Sequence, residues 1–459
     1  MLVIFLAVFN LSLEGVRDAL ADSILQNAYA GVCIYSLKRD RLVYENNGGK
    51  LFIPASNQKI ITTAAALYYL GGDFKYVTRL VVRGKVEAGT LTGDIILEGS
   101  GDPSIRDCSF LERWADVIKT LKIHTVAGNI VVDDRAFSRE RLPEGWAWHY
   151  LDARYAAELS AFSFNGNTVR VTIQPAADTG DTAQFTLYPE TKYVTVKNSL
   201  MMVDSVRKKR FNIYREPEAN IIHIEGEIDR EFKPKTIEIA VRDPALFGGF
   251  HFKELLEKRG LKVYGEPKKY DAATIDSTKV EDQLDSIISP ALSEIIKETN
   301  KESKNLMAEN LLRSIGHYSG GDGSYWTSNI LVRKFIAQLG GDTTGIEPVD
   351  GSGLSRHNLV SPYNIVVVLR YMYLSGHRDK FFESLPTSNE GTLFGRLLNL
   401  ENVVRAKTGT LRWVSCISGY VESPADNDIY AFSMLFNNYA GSAKAIAKLQ
   451  ERIIEEMRK

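Results

Sequence analysis

Hydrophobic and polar positions divide the chain into mixed helical and strand-like ends and a β-rich middle. Near the start, AGVCIYSL and RLVYENN flank a polar turn at residues 38–40, which predicts two β-strands. The apolar stretch that follows predicts a buried helix from Ser56 to about Leu70, ended by Gly71.

The middle of the chain has the period-two alternation of β-strands. It begins at about Phe74 with YVTRLVVRGKVEAGTLTGDIILEGSGDPSI, and LERWADVIKTLKI then predicts a helix before the strand VAGNIVVDD. Residues 161–261 add six strand-like runs and end with the helix PALFGGFHFKELLEKRG. LKVYGEPKKYD predicts one more strand.

Helical patterns return after about residue 284. The predicted helices are SPALSEIIKETNKESKNLMAENLLRSIG, TSNILVRKFIAQLG and SPYNIVVVLRYMYLSG. The strands VVRAKTGT, SCISGYVES and DIYAFSMLFN follow, and an amphipathic helix over 441–459 closes the chain. Because termini often lie close together and loops tolerate insertions, the pattern predicts one α/β domain split by a large insertion.

Composition and charge are those of a globular protein. The 459 residues are 44% hydrophobic and 25% charged, with a formal net charge of −1. This balance gives no electrostatic reason to expect nucleic acid, and at most peripheral association with a membrane is predicted. The dense basic run at 207–210 is interpreted as a solvated hairpin end rather than a binding patch.

Cysteine and histidine patterns argue against a disulfide framework and a metal site. Cys33, Cys108 and Cys416 are far apart and form no C-x-x-C pair, so each is predicted to be a small buried residue. The histidines have no metal-ligand spacing, and the sequence predicts no metal and no cofactor.

The first residues, MLVIFLAVFNLSL, are apolar but too few to span a bilayer. They resemble the hydrophobic region of a secretory signal, although the basic residues that normally precede it are missing. The alternative interpretation is a first buried helix.

Ser56 and Lys59 are the first candidates for catalysis. Residues three apart share one face of a helix, so Lys59 would lie beside Ser56. A serine nucleophile needs an adjacent base, and burial can keep a lysine neutral for that role. The alternative is that Ser56 only caps the helix, and a second S-x-x-K at Ser205 shows that the pattern also arises by chance.

Two later segments strengthen the catalytic hypothesis. Ser303-Lys304-Asn305 lies at a predicted junction between helices, where side chains can point into a cleft. Residues 407–410, Lys-Thr-Gly-Thr, lie on a strand where the glycine lets a substrate approach and the lysine and hydroxyl groups suit a carboxylate. Taken singly, each has a simpler explanation, since S-x-N recurs at residues 163–165 and K-T-G can be a strand end.

S-x-x-K, S-x-N and K-T-G in this order are the signature of penicillin-binding proteins and β-lactamases. Ser56 and Ser303 are 303 − 56 = 247 residues apart, more than compact serine β-lactamases have between these motifs. The sequence resembles the D-alanyl-D-alanine carboxypeptidase/endopeptidase family of low-molecular-mass class C penicillin-binding proteins. The resemblance is carried by PASNQKIITTAAAL, LEGSGDPSI, SPALSEIIKETNKESKNLMAENLLR, DGSGLSRHNLVSP, LPTSNEGTL and RAKTGTL.

The resemblance implies an α/β fold of a defined kind. It is a penicillin-binding, serine β-lactamase-like domain with an antiparallel sheet and a helical subdomain, interrupted by two inserted β-rich domains. The implied catalytic domain covers 1–75 and 285–459, one inserted domain covers 76–160 and 262–284, and the second covers 161–261.

The resemblance also implies catalytic roles in cleaving D-Ala-D-Ala in peptidoglycan stem peptides. Ser56 would form an acyl-enzyme, and Lys59 would take its proton. Ser303 would relay a proton to the leaving amine, and Asn305 would hold the substrate amide and Lys59. β-Lactams would act as covalent inhibitors by acylating the same serine.

Substrate binding is implied for the third motif. Lys407, Thr408 and Thr410 would bind the terminal carboxylate, with Gly409 lining the same strand. The backbone amides of Ser56 and Thr410 would form the oxyanion hole.

Two departures from the family pattern concern charge. Lys304 stands where Asp is usual, and its side chain is expected to point away from the cleft. Tyr150 stands where an acidic residue is usual, and Asp152 follows it. Asp152 and Arg356 are therefore possible contacts to the peptide side chain, with loop stabilisation as the alternative role for Arg356.

Two other functions compete with the DD-peptidase. They are a β-lactamase-like hydrolase with fast deacylation and a non-catalytic peptidoglycan-binding protein. Because peptidoglycan lies outside the cytoplasmic membrane, the resemblance implies export to a periplasmic or other extracytoplasmic location, with an incomplete N-terminal signal segment.

Overall fold

The computed structural model describes residues 14–205, 210–272 and 281–459. The predicted signal segment at 1–13 lies outside these residues, as do most of the basic run and most of the second S-x-x-K. The chain divides into two compact units. The terminal unit comprises the described parts of Met1–Phe74, Pro143–Gly145 and Ala291–Lys459, and the inserted unit those of Lys75–Leu142 and Trp146–Pro290.

Residues 14–20 are helical, and longer helices and strands follow in groups along the chain. The helices are α1 (Gln58–Leu70), α2 (Ser109–Thr120), α3 (Pro244–Lys258), α4 (Leu292–Lys301), α5 (Asn305–Tyr318), α6 (Tyr325–Gln338), α7 (Pro362–Leu374), α8 (Arg378–Ser384) and α9 (Ala443–Glu456). The strands are β1 (Tyr29–Ser36), β2 (Arg41–Asn46), β3 (Val77–Glu87), β4 (Thr90–Glu98), β5 (Thr125–Val126), β6 (Ile130–Asp133), β7 (Thr168–Gln174), β8 (Gln184–Tyr188), β9 (Thr195–Met202), β10 (Arg210–Arg215), β11 (Ile221–Ile228), β12 (Lys235–Ala240), β13 (Lys262–Val263), β14 (Lys268–Lys269), β15 (Glu281–Ile288), β16 (Ile346–Glu347), β17 (Leu359–Val360), β18 (Val404–Leu411), β19 (Val414–Ser423) and β20 (Asp428–Asn437).

The terminal unit is built on one antiparallel sheet in the order β18-β19-β20-β1-β2. Strand β1 pairs along its whole length with β20, so the two ends of the chain form one sheet. Helix α9 packs on β19, while α7 packs on β20 and β1. Helix α1 is buried from Gln58 to Leu67, as its nearly continuous apolar sequence predicts. The predicted antiparallel sheet with helices is confirmed.

The inserted unit contains most of the other strands and two helices. Its largest sheet has seven strands: five run β13-β5-β4-β3-β15, and β6 pairs with β4 and with β14. Two three-stranded sheets have the orders β10-β11-β9 and β12-β7-β8. Helices α2 and α3 contribute Trp114, Phe247 and Phe252 to a core shared with the strands. The predicted division of residues 76–284 into two domains stays a prediction.

The structure corrects several elements of the sequence prediction. The single strand expected over VAGNIVVDD is two strands, β5 and β6, and the short strands β16 and β17 were not predicted. The single strand expected over LKVYGEPKKYD is two short strands, β13 and β14, because Gly265 and Pro267 interrupt it. Strand β15 and helix α8 were not predicted. Among the described residues, no helix has the length and apolar character needed to cross a membrane. The three cysteines are buried and unpaired with one another, as predicted.

Candidate active site

Ser56 lies in a short 3-10 turn, Ala55–Asn57, that leads directly into α1. Neither the turn nor the helix begins with a side-chain cap, so the alternative role of Ser56 as a helix cap is wrong. The neighbouring Asn57 fixes the turn instead. Its Nδ2 donates to the Lys407 carbonyl at 2.9 Å, and its Oδ1 accepts from Ser418 Oγ at 2.6 Å. The Ser56 turn is thereby tied to β18 and β19.

Lys59 is fully buried, and its amine meets three oxygen atoms. These are Ser56 Oγ at 3.0 Å, Asn305 Oδ1 at 2.8 Å and the Ser352 carbonyl oxygen at 2.8 Å. Burial lowers the pKa of Lys59 to about 7, against the opposing effect of the Asp350 and Glu309 carboxylates. A neutral amine has two N–H groups and one lone pair. The amide and carbonyl oxygens can take the two N–H groups, which leaves the lone pair for the Ser56 hydroxyl.

Ser303 and Asn305 lie at the junction of α4 and α5, as predicted. Ser303 has a left-handed backbone (φ 55°), and its Oγ accepts a hydrogen bond from Lys407 Nζ at 2.9 Å. Asn305 is the first residue of α5 and faces Lys59. The turn at 303–305 therefore brings Ser303 into contact with Lys407 and Asn305 into contact with Lys59.

Lys407 is fully buried on β18. Besides Ser303, its Nζ donates to the Thr408 carbonyl at 2.8 Å. Burial, and secondarily the positive charge of Lys59, holds the pKa of Lys407 well below its usual range. A bound anion would offset that cost, so the position suits a carboxylate.

Gly409 is where β18 passes the Ser56 turn. A Cβ at this position would lie 2.8 Å from the Pro54 carbonyl oxygen and 2.8 Å from the Ser56 amide nitrogen. The glycine therefore has a packing role in addition to the predicted role in substrate approach. Thr408 is half-buried and Thr410 is exposed, and their predicted carboxylate contacts stay a prediction.

Lys304 forms an ion pair with Glu298 of the preceding helix and is 32% exposed. The extra positive charge predicted near the site is therefore paired.

Arg356 and Asp152 lie in different units. Arg356 is exposed and donates through Nη2 to the Arg412 carbonyl, in the turn that follows β18, which fits the loop-stabilising alternative. Asp152 is half-buried in the inserted unit, where its backbone carbonyl accepts from the Ala240 amide at 2.9 Å. Their contacts to a peptide stay a prediction.

Sequence reasoning missed three residues beside Lys59. Ser352 supplies a backbone carbonyl, and Glu309 and Asp350 are fully buried carboxylates. The available signals were an acidic residue inside the helical run LMAENLLR and the DGSGLS segment, both within stretches that carry the family resemblance.

The sequence matches the D-Ala-D-Ala carboxypeptidase 3 (S13) family over residues 13–456. The chain belongs to this family. A D-alanyl-D-alanine carboxypeptidase of Actinomadura sp. (strain R39) is 31% identical over 452 residues, covering 94% of this chain and 81% of that protein. The D-alanyl-D-alanine carboxypeptidase DacB of Haemophilus influenzae is 24% identical, covering 92% of this chain and 88% of the relative.

A solved structure agrees with this S13 assignment at the level of the fold. Penicillin-binding protein 4 of Haemophilus influenzae superposes with a TM-score of 0.82 at 24% identity, covering 96% of this chain and 98% of that chain. The predicted penicillin-binding fold and the family resemblance are both confirmed.

Proposed function

We propose that this S13 family member is a serine DD-peptidase that cleaves D-Ala-D-Ala in peptidoglycan stem peptides through an acyl-enzyme on Ser56. The observation that carries the proposal is the amine of Lys59, buried, with a pKa of about 7 and 3.0 Å from Ser56 Oγ. A lysine in this state can accept a proton near neutral pH, which is what a serine nucleophile requires.

In the acylation step, Ser56 Oγ attacks the carbonyl carbon between the two D-Ala residues, and its proton passes to Lys59 Nζ. The resulting oxyanion is bound by the amides of Ser56 and Thr410, and loss of one such donor typically costs about 3 kcal/mol. The C–N bond then breaks. Ser303 transfers its hydroxyl proton to the leaving amine and receives in its place the proton that Lys59 took from Ser56, so that Lys59 is neutral again before deacylation.

Deacylation uses one water molecule. Its oxygen attacks the ester carbonyl, Lys59 takes a proton, and the C–O bond to Ser56 breaks as the serine recovers its hydroxyl hydrogen. The products are free D-Ala and a stem peptide shortened by one residue. Asn305 holds Lys59 through both steps.

Lys407, Thr408 and Thr410 bind the carboxylate of the terminal D-Ala. The support is electrostatic, because a buried lysine beside another lysine is stabilised in its charged form by an anionic ligand. Gly409 lets this strand pack closely on the Ser56 turn. The segments that bind the carboxylate and the scissile carbonyl are therefore neighbours.

The same site would accept cross-linked peptides and β-lactams. Endopeptidase cleavage of D-Ala-diamino acid cross-links uses the same acyl-enzyme with a larger leaving amine. β-Lactams would acylate Ser56 and leave slowly, and the Haemophilus influenzae penicillin-binding protein 4 has been solved in complex with a β-lactam. An enzyme acting on peptidoglycan works outside the cytoplasmic membrane, so we also propose export.

Mass spectrometry of the intact protein after exposure to penicillin tests the proposal. We expect one adduct, mapped to Ser56 and absent from Ser56→Ala. Folded protein without an adduct would contradict the proposal. Turnover of nitrocefin at tens per second would instead favour the β-lactamase-like alternative.

Products formed from a pentapeptide and from cross-linked muropeptides test the two peptidase activities. Release of D-Ala from the pentapeptide identifies carboxypeptidase activity, and separation of cross-linked dimers identifies endopeptidase activity. Binding of wall fragments without release of D-Ala would support the non-catalytic alternative.

A further inference from the structure

Glu309 on α5 is a buried carboxylate beside Lys59 that belongs to none of the three motifs. Its side chain is completely buried. An ionised carboxylate is costly to bury unless hydrogen-bond donors surround it. The donors around Glu309 therefore indicate what it holds in place.

The Glu309 carboxylate accepts hydrogen bonds from a neighbouring loop and from Tyr325. The Gly351 amide donates to Oε2 at 2.9 Å, the Ser352 amide donates to Oε1 at 2.8 Å, and the Tyr325 hydroxyl donates to Oε2 at 3.2 Å. The loop lies so close to α5 that a Cβ on Gly351 would be 2.4 Å from the Ala308 carbonyl oxygen. Glu309 thus fastens two successive amides of this loop to the helix.

The carbonyl of Ser352 is the third oxygen on Lys59, at 2.8 Å from Nζ. Asn305, which supplies another of these oxygens, precedes Glu309 by four residues and shares its helix face. One face of α5 therefore positions both oxygens that accept from Lys59 without reacting. Asn305 supplies one of them itself, and Glu309 holds the other by binding the Ser352 amide.

We propose that Glu309 is a positioning residue that fixes the Ser352 carbonyl on Lys59 and so directs the Lys59 lone pair at Ser56 Oγ. The inference rests on the proposed function, because that function gives Lys59 its role as base. Without this hold the Ser352 carbonyl can move, and the Lys59 amine can rotate away from Ser56.

Three charged groups face Lys59 from the elements packed around it: Glu309 on α5, Asp350 in the loop after β16, and Lys407 on β18. Burial and Asp350 raise the pKa of Glu309, while hydrogen bonds from the Ser352 side chain and from the Gly351 and Ser352 amides oppose that shift and favour the carboxylate. The negative charge of Glu309 raises the pKa of Lys59. Removing that charge should therefore lower the pKa of Lys59.

The test compares three variants by their rate of acylation with a fluorescent penicillin between pH 5 and pH 9. Glu309→Gln keeps the size but loses the charge, and Glu309→Asp keeps the charge but shortens the reach. Leu311→Ala, a fully buried truncation on the same helix, serves as the control for lost stability. Thermal unfolding is recorded for each variant.

We expect Glu309→Gln to acylate about 10- to 100-fold more slowly, since a misplacement of about 1 Å near the reacting groups has this effect. The midpoint of its pH profile should move to lower pH. Glu309→Asp should lose a similar factor while keeping the parent midpoint. Leu311→Ala should melt at a lower temperature with the parent rate and midpoint.

A folded Glu309→Gln variant with the parent rate and midpoint would overturn the positioning role. An equal shift of midpoint in Leu311→Ala would overturn it as well, because the effect would then follow stability alone. If Glu309→Gln does not fold, the rate of Glu309→Asp decides, with the parent rate counting against the role. Failure of the parent protein to acylate at Ser56 would instead refute the proposed function.

Discussion

The chain contains two S-x-N triplets, one in each unit, and their side chains have different partners. In the terminal unit, Ser303 and Asn305 meet Lys407 and Lys59, which lie 104 and 246 residues away in the sequence. Both partners are fully buried lysines held by other elements. The triplet of the terminal unit therefore joins segments that are distant in the sequence.

The triplet of the inserted unit serves its own loop. Ser163 Oγ donates to the Ser160 carbonyl at 2.7 Å, and Asn165 Nδ2 donates to the Thr168 carbonyl at 2.8 Å. Both triplets contain a residue with left-handed backbone, Ser303 in one and Asn165 in the other. The left-handed residue is the first of one triplet and the last of the other, so equal spacing does not fix one conformation. The long-range partners distinguish a candidate site from a structural turn.

The middle residues of the two triplets also differ, in exposure and in partners. Lys304 reaches the surface and pairs with Glu298, whereas Phe164 is fully buried and stacks on Phe247 at 4.8 Å between ring centroids. The turn at 303–305 presents polar groups to the two lysines, whereas the turn at 163–165 packs Phe164 into the core of the inserted unit.

Removing the lysine that Asn305 contacts should have the largest effect. Lys59→Ala is expected to slow acylation by penicillin by about 10²–10⁴-fold, because the serine loses its base. Stopped-flow measurement with a fluorescent penicillin gives the rate, and circular dichroism checks that the variant is folded. A folded Lys59→Ala protein that reacts at the parent rate would show that the contact has no catalytic meaning.

The two asparagines form a matched pair for the next test. Asn305→Ala should slow acylation by about 100-fold, because the Lys59 amine loses an acceptor and its orientation. Asn165→Ala should leave the rate unchanged and lower the free energy of unfolding by about 1–3 kcal/mol, through loss of a buried hydrogen bond. Urea denaturation measures the second effect. Equal rates in both variants would erase the distinction between the triplets.

The rate of acylation should depend on pH through Lys59. With its pKa lowered to about 7, Lys59 is protonated and inactive below that pH. The rate should therefore rise about tenfold per pH unit up to pH 7 and then level off. The profile of Asn165→Ala, which touches neither lysine, is the control and should coincide with that of the parent. A flat profile from pH 5 to pH 9 would refute a neutral Lys59.

Changing the middle residue should have the smallest effect on acylation. Lys304→Ala removes a partly exposed ion pair, so we expect less than about 1 kcal/mol of lost stability and a rate within about threefold of the parent. The matched Phe164→Ala should lower the free energy of unfolding by about 3–5 kcal/mol, since it empties a packed core position. A large loss of acylation in Lys304→Ala would mean that this side chain contributes to the reaction.

Elements with a strong apolar pattern were predictable from the sequence. Strands β1 and β20 and helix α1 lie where their patterns placed them, because each buries a continuous or alternating apolar set. Strand β15 was missed because its sequence, EDQLDSII, is largely polar. It pairs only with β3 at the edge of its sheet, so burial imposes little pattern on it.

The candidate site was only partly predictable. Ser56, Lys59, Ser303, Asn305 and Lys407 were found because their motifs are short and ordered. Ser352 could not be found in this way, since its backbone carbonyl carries no side-chain signal. The positioning role proposed for Glu309 depends on the loop at Gly351 and Ser352, which only tertiary folding brings next to it.

The Asn57 side chain has a consequence for how the chain can change in length. It spans 2.9 Å between two segments that are 350 residues apart along the backbone. The spacing between the Ser56 turn and β18 is thus set by a local contact and not by the polypeptide that connects them. Because the entropy of closing a loop grows only slowly with its length, the intervening insertion can be lengthened or trimmed at its surface with little effect on this spacing. The reactive groups and the insertion are, in this sense, separate modules of one chain.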